Sequence, residues 1–159
     1  MTWKRAVAAT LALKTGGALG VELTSNLAKD SQAAQSACKP LLLEFSANSC
    51  SYCRLLEEEV LNPTLLNRSY DQRVLMRKLV IDEQTPVTDF DGSAKVSPGQ
   101  LASRYKVYVT PTLVFVDSHG TELTERMVGV TTLEFYGGYL DAALDKAKAT
   151  LRERQVCDQ

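Results

Sequence analysis

The sequence predicts an α/β fold in which a mixed sheet of about four strands is flanked by helices, with an extra helix ahead of the first strand. Three observations carry that expectation. Leu41-Leu42-Leu43-Glu44-Phe45 is an almost unbroken apolar run, as a strand buried on both faces requires. A helical stretch and a second apolar run, Arg73 to Ile81, follow it, so this part reads βαβ, whose parallel strands need a right-handed crossover. The chain then offers a strand at Thr112 to Val116, a turn at Asp117-Ser118-His119-Gly120, a strand from Glu122 to Val130 and a helix, which together read as a hairpin closed by a helix.

Each element has a local reason. From Val21 to Ala37 the residues suit a helix, with Leu23, Leu27, Ala34 and Ala37 near helical spacing. Lys39-Pro40 ends it, because proline disfavours the helical region for the residue before it. Ser46-Ala47-Asn48-Ser49 is a loop, and Cys50 opens a helix whose apolar stripe is Leu55, Leu56, Val60 and Leu61. Asn62-Pro63 breaks or kinks that helix, with Leu65-Leu66 in a last turn. Glu83 to Gly99, carrying Pro86, Asp91-Gly92 and Pro98-Gly99, reads as a long polar connection, and Gln100 to Tyr105 as a short helix. Pro111 lies inside an apolar, β-branched run, so the strand is placed after it, at Thr112. Gly129 reads as a bulge or a point of close approach. Thr131-Thr132-Leu133-Glu134 has the form of a capping box with Thr131 as the cap, opening a final helix to about Ala149.

The 159 residues suggest one domain, over 21–150, with a charged tail at 151–159. Hydrophobic and charged fractions of 45% and 23% are ordinary for a globular protein. The formal net charge is -1, and Lys and Arg are scattered among acids. That argues against nucleic acid as a partner, which needs a concentrated basic face. Met1-Thr2-Trp3-Lys4-Arg5 is basic, Ala6 to Leu13 is apolar and Ala18-Leu19-Gly20 is small, which outlines a secretory signal over 1–20. Lys14 and Thr15 cut the apolar stretch short, so a mobile tail or a poorly placed helix is the alternative. No stretch approaches the ~20 apolar residues that span a bilayer, so no permanent membrane helix is expected.

Four cysteines, Cys38, Cys50, Cys53 and Cys157, are too few for a disulfide scaffold at this length. Cys50-Ser51-Tyr52-Cys53 forms a C-x-x-C motif. Haem attachment would need His where Arg54 stands. A structural zinc site needs four ligands, and Cys38, Cys157 and His119 are widely dispersed. Iron–sulfur ligation meets the same shortage of thiolates. The redox reading has positive support. Cys50 follows a buried strand and a short loop, so it falls at or just before a helix N-terminus, where free amides and the helix dipole favour a thiolate. Such placement lowers a cysteine pKa from about 8.5 toward roughly 3.5–7.5. Cys53 lies nearly one turn on and more shielded, so Cys50 is the attacking sulfur and Cys53 the resolving one.

At these residues the chain resembles the thioredoxin-like family. The stretch Leu41 to Cys53 matches the family's strand, loop and motif without a gap. Val109-Thr110-Pro111-Thr112-Leu113-Val114-Phe115 matches a second piece, and Gly129 a third. The resemblance spans about Lys39 to Ala147 and implies a thioredoxin fold. It also implies a cis bond before Pro111, a loop packed beside the cysteines, and a Thr110 backbone that receives a substrate strand. Asn48-Ser49 and the Ser-Tyr dipeptide depart from cytoplasmic thioredoxins. With the leading helix and the 83–99 insertion, they are similar to bacterial periplasmic thioredoxin-like proteins, such as the SoxW type and the C-terminal domain of DsbD. That likeness implies a periplasmic location and puts reduction by a cytoplasmic thioredoxin reductase in doubt.

Glu44 corresponds to the family's buried acid beneath the redox pair. A carboxylate in an apolar strand has a raised pKa, and this one is expected to take the proton of Cys53 directly or through water. An outward-facing, idle Glu44 is the alternative. Ser51, Tyr52, Thr110 and Pro111 form the expected substrate contacts. Whether Tyr52 tunes the potential or is a spacer stays open. Arg54, His119, Asp82, Glu83 and the run Glu57-Glu58-Glu59 read as solvated surface. Cys38 and Cys157 could form a second disulfide, which needs Cα atoms within about 7 Å, serve as resolving thiols or be idle, and idle or structural is the default reading. The expected activity is disulfide exchange with protein substrates, in the reducing direction, by a monomer with a thiol electron donor and neither cofactor nor metal. A thioredoxin-fold binding or chaperone-like module without turnover and a metal-binding domain are the two alternatives.

Overall fold

A computed structural model describes residues 20–154. The expected signal segment and Cys157 lie outside the described residues, apart from Gly20. The elements are α1 (Leu27–Ser36), β1 (Leu41–Ser46), α2 (Ser51–Leu56), a π-helical turn (Glu57–Leu61), α3 (Asn62–Leu66), a 3-10 turn (Arg68–Tyr70) and β2 (Leu75–Val80). They continue with β3 (Val87–Thr88), β4 (Lys95–Val96), α4 (Pro98–Arg104), β5 (Thr112–Val116), β6 (Met127–Val128) and α5 (Leu133–Glu153). The main sheet has four strands in the order β2-β1-β5-β6. β1 pairs parallel with β2 and antiparallel with β5, and β6 runs antiparallel to β5. This is the thioredoxin fold, with a mixed sheet, flanking helices and a helix before the first strand.

β1 is central and all six of its residues are buried, as its apolar run demands. Its side chains alternate between two layers. Leu41, Leu43 and Phe45 join the core beneath α1 and α4, with Leu27, Leu101 and Val114. Leu42 joins the core beneath α2 and α5, with Leu56, Leu113 and Leu140. Glu44 shares the parity of Leu42 and so faces the second layer.

Several elements differ from expectation. The leading helix begins at Leu27, not Val21. Asn26 caps it, its Oδ1 accepting from the Lys29 N–H at 2.9 Å. The residues before it run extended along the outer edge of β2, where Thr24 N–H donates to Lys78 O at 3.1 Å and Lys78 N–H to Glu22 O at 2.8 Å. They cover an otherwise open sheet edge. The 83–99 connection contains the small β3–β4 hairpin. α4 starts two residues earlier than expected, because Pro98 sits in the first turn, where its missing N–H costs nothing. Ser97 and Gln100 close a reciprocal capping box there. The strand expected from Glu122 to Val130 reduces to a bridge at Glu122 and the two residues of β6.

At α5 the capping-box expectation fails. The N-cap is Thr132, not Thr131, and no side chain bonds the first turn. The helix runs on to Glu153. Gly129 has φ +68, and a Cβ there would meet nothing within 4 Å, so its backbone conformation and not close approach selects glycine. Cys38 is disulfide-bonded, in line with a structural role.

Candidate active site

The loop 47–50 is short and tethered. Cys50 N–H donates to Ala47 O at 3.3 Å, and Asn48 N–H donates to the Asp82 carboxylate at 3.1 Å. Asp82, read from sequence as solvated, therefore braces the loop before the motif from the end of β2. Cys50 is the N-cap residue of α2, in extended backbone conformation, and its Sγ accepts the Cys53 N–H at 3.1 Å. The sulfur thus occupies the place where a capping oxygen normally sits, facing the free amides of a helix start. α2 continues without interruption through the π turn into α3. The π turn lies just ahead of Pro63, whose missing N–H and ring prevent a regular ladder.

Cys50 and Cys53 are bonded to each other, with Cα atoms 5.2 Å apart. Cys53 is 1% exposed whereas Cys50 is half-buried, so a partner reaches only the first sulfur. Ser51 and Tyr52 are exposed, Tyr52 by 60%.

The Thr110–Pro111 peptide is cis. Thr110 Oγ1 lies 3.5 Å from Cys50 Sγ, so residues sixty positions apart share one surface. The loop is held on both sides. Thr112 Oγ1 donates to Val109 O at 2.7 Å, and Gly129 N–H donates to Pro111 O at 2.8 Å. The backbone N–H and C=O of Thr110 make no hydrogen bond among the described residues. Tyr108 and Val109 are exposed beside it, by 85% and 50%.

Glu44 is completely shielded from solvent, and no hydrogen-bond donor among the described residues meets either carboxylate oxygen. Burial pushes its pKa up to about 8, and the negative charge of Glu57 adds to the rise. Lys78, its register partner on β2, opposes it. Lys78 Nζ is committed to Glu57 Oε2 at 2.8 Å, and both side chains are mostly covered. Glu57 is therefore no part of a solvated run. It lies four residues after Cys53, on the same helix face, a spacing that offered a signal. Lys78 lies on the second strand and becomes Glu44's neighbour only through the sheet register.

The described residues hold no group of three or more His, Cys, Asp or Glu placed to bind a metal. No helix among them is long and apolar enough to cross a membrane.

Comparisons with known proteins agree with this geometry. Residues 27–147 match the model of the thioredoxin-like domain, and the chain belongs to that family. Solved structures with the same fold include a thioredoxin of Malassezia sympodialis, at 21% identity and TM-score 0.54, covering 81% of this chain and 94% of that one. Fasciola hepatica thioredoxin is similar at 17% identity and TM-score 0.52, covering 80% and 99%. Poplar thioredoxin h is similar at 20% identity and TM-score 0.51, covering 74% and 86%. A comparison with curated protein sequences finds no match. The family, together with a bonded Cys50–Cys53 pair at a helix start, supports thiol–disulfide oxidoreductase chemistry.

Proposed function

We propose that this chain reduces protein disulfides by dithiol exchange. The observation that carries the proposal is the Cys50 sulfur at the start of α2, bonded to Cys53 and 3.5 Å from Thr110 Oγ1. In the reduced protein the Cys53 N–H and the helix start favour the Cys50 thiolate, and the thiolate is the nucleophile. It attacks one sulfur of a substrate disulfide, the other sulfur leaves as a thiolate, and a mixed disulfide forms. Cys53 then attacks Cys50, the intramolecular disulfide closes, and the second substrate sulfur departs.

The unengaged backbone of Thr110 suits an extended substrate segment adding to it strand-fashion, with Pro111, Ser51 and Tyr52 beside it. Glu44 takes the Cys53 proton as that thiol attacks, and returns it when a thiol donor reopens the disulfide. A pKa of about 8 lies close enough to neutrality for both directions. An electron-donating dithiol protein restores the reduced state.

The reducing direction and a periplasmic location rest on the likeness of the 48–53 loop to exported bacterial proteins and on the basic, apolar start of the chain. Insulin reduction with dithiothreitol tests the activity. Wild-type protein should accelerate it and Cys50→Ser should abolish the acceleration. No acceleration by the wild-type protein beyond that seen with Cys50→Ser would favour a binding module without turnover.

A further inference from the structure

One side of the sheet carries three shielded polar atoms that no hydrogen-bond partner meets among the described residues: both carboxylate oxygens of Glu44 and the hydroxyl of Tyr136. Glu44 is 0% exposed and Tyr136 3%. Glu44 enters this layer from β1. Tyr136 enters it from the first turns of α5, packed in one cluster with Leu42, two residues before Glu44, and with Leu113, its register partner on β5. A buried phenol and a buried carboxyl in one apolar layer normally find each other or a shared water.

We propose that Tyr136 is a positioning residue for the exchange reaction: its hydroxyl, through one bound water, donates a hydrogen bond to the Glu44 carboxylate when Glu44 is ionised. This rests on the reading of Glu44 as the proton carrier. The chemistry of the neighbours favours it. An ionised carboxylate only accepts, and the nearby cation, Lys78, is committed to Glu57. Leu113, across from Glu44 on β5, offers no donor. The groups that bear on Glu44 are thus Glu57 from the π turn, Lys78 from β2 and Tyr136 from α5. Burial first, and then the charge of Glu44, hold the Tyr136 phenol well above its ordinary pKa, so it keeps its proton and acts as a donor.

The proton count closes without Tyr136 giving anything up. As Cys53 attacks, its S–H bond breaks and an O–H bond forms on Glu44. The sulfur electron pair makes the Cys50–Cys53 bond, and the substrate sulfur leaves with the electrons of the mixed disulfide. Tyr136 fixes the orientation of the carboxylate before the transfer and stabilises its charge.

Carboxyl-carbon NMR of Glu44 in the full chain, titrated with pH, tests this. Tyr136→Phe should raise the Glu44 midpoint by about one unit, because a donor to the charged form is lost. The pH profile of mixed-disulfide resolution should move by the same amount, and Tyr136→Phe should have no further effect on that profile in a Glu44→Gln background. If Tyr136→Phe does not fold, 3-fluorotyrosine at position 136 gives a stronger donor of nearly the same shape and should lower the midpoint. A Glu44 midpoint unmoved by either change overturns the proposal. A pH profile unmoved by Glu44→Gln contradicts the proton-carrier reading alone, since the NMR midpoint still reports the Tyr136 hydrogen bond.

Discussion

At the scale of single residues, Glu44 controls how the molecule responds to pH. Its folded pKa of about 8 lies above the ordinary 4.5. A carboxyl with a raised folded pKa contributes stability that is fully present below the unfolded value and lost as pH rises through the folded one. Between those limits the loss is about 1.4 kcal/mol per pH unit. Glu44→Gln should remove this slope. Denaturant titrations at pH 5 and pH 9 should show the wild type losing stability relative to the variant, with little difference between the two at low pH. The cysteines differ by exposure. In the reduced protein iodoacetamide should label Cys50 at least about tenfold faster than Cys53, read by mass spectrometry, because the Cys53 sulfur is shielded from the reagent. The positions of Cys50, Cys53, Glu44 and Pro111 are legible in sequence, since each lies in a contiguous stretch whose neighbours mark it. Lys78 and Tyr136 are not, and Glu57 only through its spacing from Cys53. Their places beside Glu44 depend on strand register, on which helix face turns inward and on how α5 packs, and none of these is local.

At the scale of elements, hydrophobic patterning located β1, β2 and β5 to within about two residues, because buried strands leave contiguous apolar runs. It failed where a tertiary partner decides. Val21 to Ser25 is compatible with a helix, yet its backbone bonds to Lys78 at the edge of β2 and to Thr88 of β3. The strand after the hairpin turn kept only part of its pairing. Arg126, which lies within the expected strand, instead reaches the Tyr105 carbonyl and Glu122. The Thr131 capping box failed because the helix starts one residue later than the pattern implies. The glycines of this region separate two causes. Gly129 has φ +68 and open space around it, so Gly129→Ala should cost only the backbone strain, about 1 kcal/mol. Gly120 has φ +77, and an added Cβ would lie 2.8 Å from the Phe90 ring and from Tyr105 Oη. Gly120→Ala should therefore cost roughly 1–3 kcal/mol beyond that strain, since overpacking adds to it. Thermal denaturation of the two variants checks the order, and a larger loss at Gly129 would contradict it.

At the scale of the whole molecule, two apolar layers on one sheet hold the redox motif and the cis-proline loop against each other. α5 is fixed to the sheet in two ways. Arg73, beside β2, pairs with Asp141 at 2.7 Å and Asp145 at 2.9 Å, partly in solvent. Leu144 of the same helix is 1% exposed in the core. Arg73→Ala should cost about 1 kcal/mol and less at high salt, whereas Leu144→Ala should cost about 2–5 kcal/mol at any salt. Denaturant melts at low and high ionic strength would show this. The central claim is that Cys50 is the sulfur that engages a substrate disulfide and Cys53 the one that releases it. Its most direct measurement is trapping with a disulfide-containing protein substrate, followed on non-reducing gels. Cys53→Ser should accumulate a covalent complex through Cys50 that dithiothreitol dissolves, and Cys50→Ser should form none. A complex trapped by Cys50→Ser but not by Cys53→Ser would contradict the account.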